Sequence, residues 1–246
     1  MIIVVPCYNE AERLDEDEVR ALLADPRVEV LFVDDGSRDH TPQVLEGICS
    51  RSERARFEVL DHNGGKAEAV RHGLRRALEG GAEIVGYADA DFATPPGELH
   101  RLLDELDRHG ANVALGSRVA RLGARIERKP SRHYVGRVYA TAASWVLRLA
   151  VYDTQCGAKL FRRTPALERA LDRPFRSRWS FDVELLGRLL AGGLQVEEVV
   201  EVPLNTWVDV PGSKLSLGGA IKAGVELLAL GVRVRRQGPS GFFPDA

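Results

Sequence analysis

Apolar runs that alternate with amphipathic stretches fill the first 117 residues, and no other feature constrains the fold as tightly. Ile2–Pro6, Val28–Val33, Phe57–Leu60, Glu83–Ala88 and Val113–Gly116 read as strands. Several are apolar at nearly every position, the pattern of a strand covered on both faces. Between them, Glu10–Leu23, Pro42–Arg51, Lys66–Leu78 and Pro96–Arg108 carry helical periodicity. Asn9 and Thr41 are the expected N-caps, with Pro42 at a first helical position. Strand–helix alternation at this spacing predicts an α/β protein with a mostly parallel, twisted sheet flanked by helices.

Beyond Arg118 the pattern changes. A basic loop leads into an Ala- and aromatic-rich helix, Tyr134–Leu149. A Cys-Gly turn, a strand Lys159–Arg162, a helix Phe181–Ala191, a strand Val196–Val202 and a closing helix Gly218–Val234 follow. No Ser/Gly linker, repeat or low-complexity tract interrupts the chain. One domain over 1–246 is expected, with a nucleotide-type half (1–117) and an elaborated half (118–236).

Composition narrows the class. The best apolar stretches, Val138–Leu147 and Leu227–Val232, fall short of the ~18–20 residues a membrane span needs. Met1 runs directly into Ile2-Ile3-Val4-Val5-Pro6, without the charge or length of a signal peptide. Three distant cysteines, Cys7, Cys49 and Cys156, fit a reducing compartment and form neither a disulfide framework nor a zinc cluster. A net charge of −2 argues against a dedicated nucleic-acid binder. The expectation is a cytoplasmic protein, at most peripheral at the inner face of a membrane. The charge is unevenly spread, however. Arg118, Arg121, Arg125, Arg128, Lys129, Arg132 and Arg137 stand against Glu127 alone. Such a run is either a solvated loop or a surface that meets phosphates.

Open α/β sheets bind ligands beyond the carboxyl ends of their strands. Three strands here end in polar clusters: Pro6-Cys7-Tyr8-Asn9-Glu10, Asp34-Asp35-Gly36-Ser37 and Asp89-Ala90-Asp91. There is no G-x-G-x-x-G, and Gly64-Gly65-Lys66-Ala67 lacks the spacing and Ser/Thr of a phosphate loop. A dinucleotide dehydrogenase and a P-loop NTPase both fit poorly. A lone D-x-D is a weak signal, since Asp15-Glu16-Asp17 repeats it on a charged helical stretch. Asp89 and Asp91 differ because they follow an apolar strand and precede the turn Thr94-Pro95-Pro96. Two carboxylates there can hold Mg2+ or Mn2+ with water and substrate phosphates completing the shell; capping the turn is the other reading. Asp34 and Asp35 can accept from a uracil or guanine ring or a ribose hydroxyl, with Gly36 admitting the ligand closely. An Asx-turn into the next helix is the alternative. Asn63-x-Gly65-Lys66, ahead of a helix, offers N–H groups and an ammonium to an anion.

Together, Pro6-x-Tyr8-Asn9-Glu10, Val33-Asp34-Asp35-Gly36-Ser37, Asn63-x-Gly65-Lys66-x-x-Ala69, Asp89-Ala90-Asp91 and Gly116-Ser117-Arg118 resemble glycosyltransferase family 2. In the second half, Asp153-Thr154-Gln155-Cys156-Gly157-Ala158-Lys159-Leu160-Phe161, Arg178-Trp179-Ser180-Phe181-Asp182-Val183-Glu184-Leu185-Leu186 and Gly212-Ser213-Lys214-Leu215 resemble the dolichyl-phosphate (polyprenyl-phosphate) β-glucosyltransferases and their bacterial relatives. The related mannose synthases match less well there. The resemblance runs from about Ile2 to Arg235.

It implies a GT-A fold, a nucleotide-sugar donor and inversion at the anomeric carbon. UDP-glucose is the implied donor, with GDP-mannose the alternative. Pro6, Tyr8, Glu10, Asp34, Asp35, Ser37, Lys66, Asp89 and Ala90 would line the donor pocket. Asp91, with Asp89, would hold Mg2+ or Mn2+ on the diphosphate, and Arg118 would lie near the phosphates or the acceptor. Arg128, Arg132, Gln155, Lys159, Trp179 and Lys214 would face the acceptor. Asp182 is the candidate base for an alcohol acceptor; a lipid phosphate, already anionic, needs none, and Asp182 would then orient the sugar or the partners of the acceptor phosphate. A carboxylate favoured by a helix N-terminus is the plainer reading of Asp182. The implied acceptor is polyprenyl phosphate. A small soluble acceptor, or a non-catalytic nucleotide-sugar-binding protein, are the alternatives.

Two departures stand out. Ala93 occupies the position of a Gln metal ligand in the mannose synthases, and the N-terminal membrane anchor of the eukaryotic members is expected to be missing. The basic run leads into Tyr134–Leu149, whose Val138, Trp145 and Leu149 suit a bilayer surface. An Ala-rich helix with one Trp is also what a core helix looks like.

Overall fold

A computed structural model describes residues 1–127, 130–210 and 217–244, with the side chains of 130–133, 217 and 220 outside that description. The alternating half comprises β1 (Ile2–Cys7), α1 (Glu16–Leu22), β2 (Glu29–Asp34), α2 (Thr41–Cys49), β3 (Ala55–Val59), α3 (Lys66–Glu79), β4 (Ile84–Ala88), α4 (Pro96–Arg108) and β5 (Val113–Ser117). The second half adds β6 (Arg125–Glu127), α5 (Pro130–Leu147), β7 (Ala158–Arg162), α6 (Pro165–Asp172), α7 (Phe181–Ala191), β8 (Val199–Pro203), β9 (Thr206–Val208) and α8 (Leu217–Gln237).

Seven strands form one sheet in the order β3-β2-β1-β4-β7-β5-β8. Neighbours are parallel except at β7, which lies antiparallel to both β4 and β5. The short β6 and β9 pair separately. One face of the sheet packs Val4, Leu31, Val33 and Tyr87 against Val70 and Leu74 of α3. The other packs Ile3, Val5 and Phe32 against Leu45 of α2 and Leu99 and Leu102 of α4. Burial of both faces is why these strands read as unbroken apolar runs. At Gly73 on α3, an added Cβ would come within 2.4 Å of Val4, so the helix needs glycine to lie this close to the sheet.

Several expected boundaries are corrected. The stretch Glu10–Leu23 is helical only from Glu16. Asp15 caps it, its carboxylate accepting from the Asp17 N–H at 2.8 Å. The periodicity extends upstream because a turn buries Leu14 in the same apolar layer. Asn9 is not a cap: its φ is +52°, and its side-chain oxygen accepts from Arg38 N–H at 2.9 Å in the next loop. Thr41 is the first helical residue of α2, and its hydroxyl accepts from Glu10 N–H at 2.9 Å. Val196–Glu198 forms a 3-10 turn closed by a Gln195/Glu198 capping box, so the strand begins only at Val199. Helix α6 was not expected, although Thr164-Pro165 repeats the start signal of Thr41-Pro42; Thr164 accepts from Leu167 N–H at 3.2 Å. Among the described residues no helix is long and apolar enough to cross a membrane.

Candidate active site

The loops after β1 and β2 are stitched together. Asn9 N–H donates to Ser37 Oγ at 2.9 Å, and Ala11 N–H to Asp39 at 3.3 Å. Asp34 is buried, and its carboxylate accepts from the Ser37 hydroxyl and N–H. The Asp35 oxygens accept from the Gly64 and Gly65 N–H groups, each at 2.7 Å. Burial nonetheless pushes the Asp35 carboxyl above its ordinary value. In this structure the two carboxylates brace loops, and the N–H groups ahead of α3 serve Asp35. Pro6, Tyr8 and Ser37 are partly exposed around this rim, while Glu10 and Ala90 are buried.

At the end of β4, Asp89 and Asp91 each meet a cation. Lys66, the first residue of α3, bonds Asp89. Arg13 spans Glu10 at 3.0 Å and Asp91 at 2.8 Å. Burial and the neighbouring Asp89 push the Asp91 carboxyl above its ordinary value. Beneath Asp89 lies Gly157, where an added Cβ would sit 2.0 Å from a carboxylate oxygen. The Cys-Gly turn is thus a platform for the D-x-D pair, and Asp89 N–H donates to Gly157 O at 3.2 Å. Among the described residues no three metal-ligating side chains converge. Two partly exposed carboxylates still suit Mg2+ or Mn2+, since Mg2+ keeps several waters and takes further oxygens from substrate phosphates. Ala93 contributes only its N–H, which donates to Asp91 at 3.2 Å.

Across from these loops, Asp182 in the first turn of α7 is buried. Its Oδ1 accepts from the Lys159 ammonium at 2.6 Å and from the Tyr87 hydroxyl. Lys159 also donates to Cys156 O at 2.6 Å and has no exposed surface. Its expected contact with the acceptor is therefore corrected to a contact with Asp182. Burial, then the Asp182 charge, raise the Tyr87 hydroxyl well above its ordinary value, so it stays a proton donor. Tyr87 escaped the sequence reading because it sits inside the apolar strand β4. The only signal was one polar atom in a fully buried run. Lys66 links the two sides, its ammonium 6.0 Å from the Phe181 ring centre.

Among the described side chains, the basic run is committed internally. Arg118 clamps Asp153 through Nε at 2.6 Å and Nη2 at 2.9 Å, and its guanidinium lies over the Trp207 ring. Arg121 donates to Asn205, Arg125 pairs with Glu127, and Arg137 donates to Tyr152 O. Arg118, expected near the phosphates or the acceptor, is in this structure paired with Asp153. Arg128, Lys129 and Lys214 lie outside the described residues, as does the side chain of Arg132. Gln155 is partly exposed, its N–H on Asp153 at 3.0 Å. Trp179 is half-buried. Its N–H and that of Ser180 donate to Glu226 of α8, at 2.8 and 3.0 Å.

Residues 2–169 match the family described as Glycosyl transferase family 2. The dolichyl-phosphate beta-glucosyltransferase of Homo sapiens is 34% identical over 235 residues, covering 87% of this chain and 68% of that protein. The polyprenol monophosphomannose synthase of Mycolicibacterium smegmatis is 29% identical over 237 residues, covering 95% and 88%. The mannosyltransferase PcManGT from Pyrobaculum calidifontis, solved with GDP-Man and Mn2+, superposes with a TM-score of 0.62 at 19% identity, over 98% of this chain and 66% of that one. The sheet order, the polar strand ends and these matches lead to one conclusion: the chain is a GT-A-fold glycosyltransferase that belongs to glycosyl transferase family 2.

Proposed function

We propose that this chain transfers glucose from UDP-glucose to a polyprenyl phosphate, with inversion at the anomeric carbon. The observation that carries the acceptor class is the state of Asp182. The Asp182 Oδ1 already accepts from a buried ammonium at 2.6 Å and from a tyrosine hydroxyl, so that oxygen is committed to two protein donors and is not free to take a proton from an acceptor alcohol. An alcohol acceptor needs a base, whereas a phosphate monoester is already anionic at neutral pH and brings its own nucleophile. Its oxygen forms the bond to the anomeric carbon as the bond to the donor diphosphate breaks. The electron pair leaves with UDP. Asp182, fixed by Lys159 and Tyr87, orients the sugar.

The loops of the 1–117 half hold the donor, and the 118–236 half receives the acceptor, as parts of one domain. Asp91 and Asp89 would hold Mg2+ or Mn2+, which offsets the charge growing on the leaving diphosphate. Lys66 and Arg13 hold the two carboxylates in place. The human and mycobacterial relatives carry polyprenyl-type acceptors in their names, which supports the lipid choice. The protein would act from the cytoplasm, peripheral at the inner face of a membrane.

The test uses radiolabelled UDP-glucose and GDP-mannose, Mg2+ or Mn2+, and short-chain polyprenyl phosphate, with product extracted into organic solvent. Extracted glucose, lost on chelation and in Asp91→Asn, is the expected result. Label in a soluble acceptor alone overturns the lipid assignment, and mannose in place of glucose overturns the donor. No metal-dependent release of UDP or GDP from either donor overturns the catalytic reading.

A further inference from the structure

Helices α5 and α8 lie side by side and run in the same direction. Ser180 Oγ accepts from Tyr139 of α5 at 2.8 Å and donates to Ala223 O of α8 at 2.9 Å. About two turns further along, Val146 of α5 lies against Gly231 of α8. Their inner faces are packed; their outer faces are apolar and open. Val138 and Trp145 on α5, and Ile221, Val225, Leu228 and Val232 on α8, are between 50% and 73% exposed. The α8 spacing of four, three and four residues is a single helical stripe. Eight of the eleven large hydrophobic side chains exposed among the described residues sit on these two helices. Such clustering marks a surface that meets something.

Charge says what that is. Segments 128–148 and 211–237 hold ten Lys/Arg and a single acid, Glu226, leaving 24 of the 34 Lys/Arg and 35 of the 36 Asp/Glu elsewhere. Glu226 is turned inward onto Trp179 and Ser180. Arg148, just past α5, and Arg235 and Arg236, in the last turn of α8, are exposed at the same end of the pair, and Lys222 is exposed near its start. A second copy of this chain would bring like charges together. An anionic bilayer satisfies the apolar stripes and the cations at once.

We propose that the joined outer faces of α5 and α8 dock the protein on an anionic lipid bilayer. Trp145 and Leu228 enter the interface, and Arg148, Lys222, Arg235 and Arg236 meet the headgroup phosphates. The purpose of this surface rests on the lipid-acceptor reading above; its geometry does not. Ser180, where both helices are pinned, lies two residues before Asp182, so a docked bilayer borders the acceptor side.

Flotation of the full chain with phosphatidylcholine vesicles, with and without phosphatidylglycerol, tests the surface. The chain should float only with the anionic vesicles and come off as salt is raised. Trp145→Glu/Leu228→Glu and Arg235→Glu/Arg236→Glu should each cut the bound fraction by about tenfold or more. Both variants should leave transfer to a water-soluble, short-chain polyprenyl phosphate unchanged. A wild-type chain that stays in the aqueous phase overturns the proposal. So do variants that float like wild type, and so does a dimer in sedimentation that these substitutions dissolve. Flotation with no transfer to any polyprenyl phosphate overturns the acceptor reading and leaves the docking surface standing. Short-chain transfer without flotation does the reverse.

Discussion

Just past the end of β4, Asp89 and Asp91 are partly open, and long side chains reach in to meet them. Lys66 bonds Asp89, and Arg13 bonds Asp91. Across the cleft, Asp182 is buried between Tyr87 and Lys159, both fixed in neighbouring strands. The first arrangement suits exchange, because an arriving diphosphate and cation can take over partners that are flexible and near water. The second suits permanence, because moving either partner would strand a charge in a low-dielectric interior. On the proposed function, the donor side would be the one able to change partners and the acceptor side the one that is not.

The largest expected effect strikes the permanent side. Lys159→Met takes the buried ammonium from Asp182, leaving its charge only the Tyr87 hydroxyl, and should cost about 3–5 kcal/mol in denaturant unfolding. Lys159→Met/Asp182→Asn should regain a good part of it, as the coupling of a double-mutant cycle requires. Unchanged stability in the single variant would remove the contrast altogether. Next comes Gly157→Ala, which places a methyl 2.0 Å from the Asp89 carboxylate. Overpacking of this kind costs about 1–3 kcal/mol, and calorimetry should show weaker binding of nucleotide with metal. Donor binding at wild-type strength would show that Asp89 need not hold its place. The smallest effect is a pair remote from the cleft. The hydrogen bond from Arg27 holds the Asp25 carboxyl down at about 2. Its unfolded value is about 3.9, so the contribution is present above that pH and is lost as pH falls through about 2. With Arg27 half in water, Asp25→Asn should cost under about 1 kcal/mol at pH 7 and progressively less as pH falls through about 2. A difference that does not shrink toward pH 2 would assign the effect to packing instead.

Much of the donor side was legible because its residues are contiguous. Pro6–Glu10, Asp34–Ser37 and Asp89–Asp91 each end a strand, and a parallel sheet aligns strand ends without further information. The acceptor side was not. Tyr87 and Lys159 become neighbours because β7 inserts antiparallel between β4 and β5 in the register that pairs Tyr87 with Lys159. The same insertion turns Arg118 toward Asp153 and sets Gly157 under Asp89. Trp145 could be read either as core or as surface from its helix alone. The packing of α8 along one side of α5 decided it, leaving Trp145 open and Leu149 buried.

The amino-acid order alone determined the α/β class, the buried parallel strands, the family and the three polar strand ends, because each is written in local periodicity or a short contiguous motif. Only the tertiary structure decided which charges are neutralised and which remain available. Arg118 and Lys159 are spent on Asp153 and Asp182, while the α5–α8 face keeps its exposed cations beside apolar stripes. Pairing and burial depend on strand insertion and helix neighbours distant in sequence, and local pattern carries no record of those.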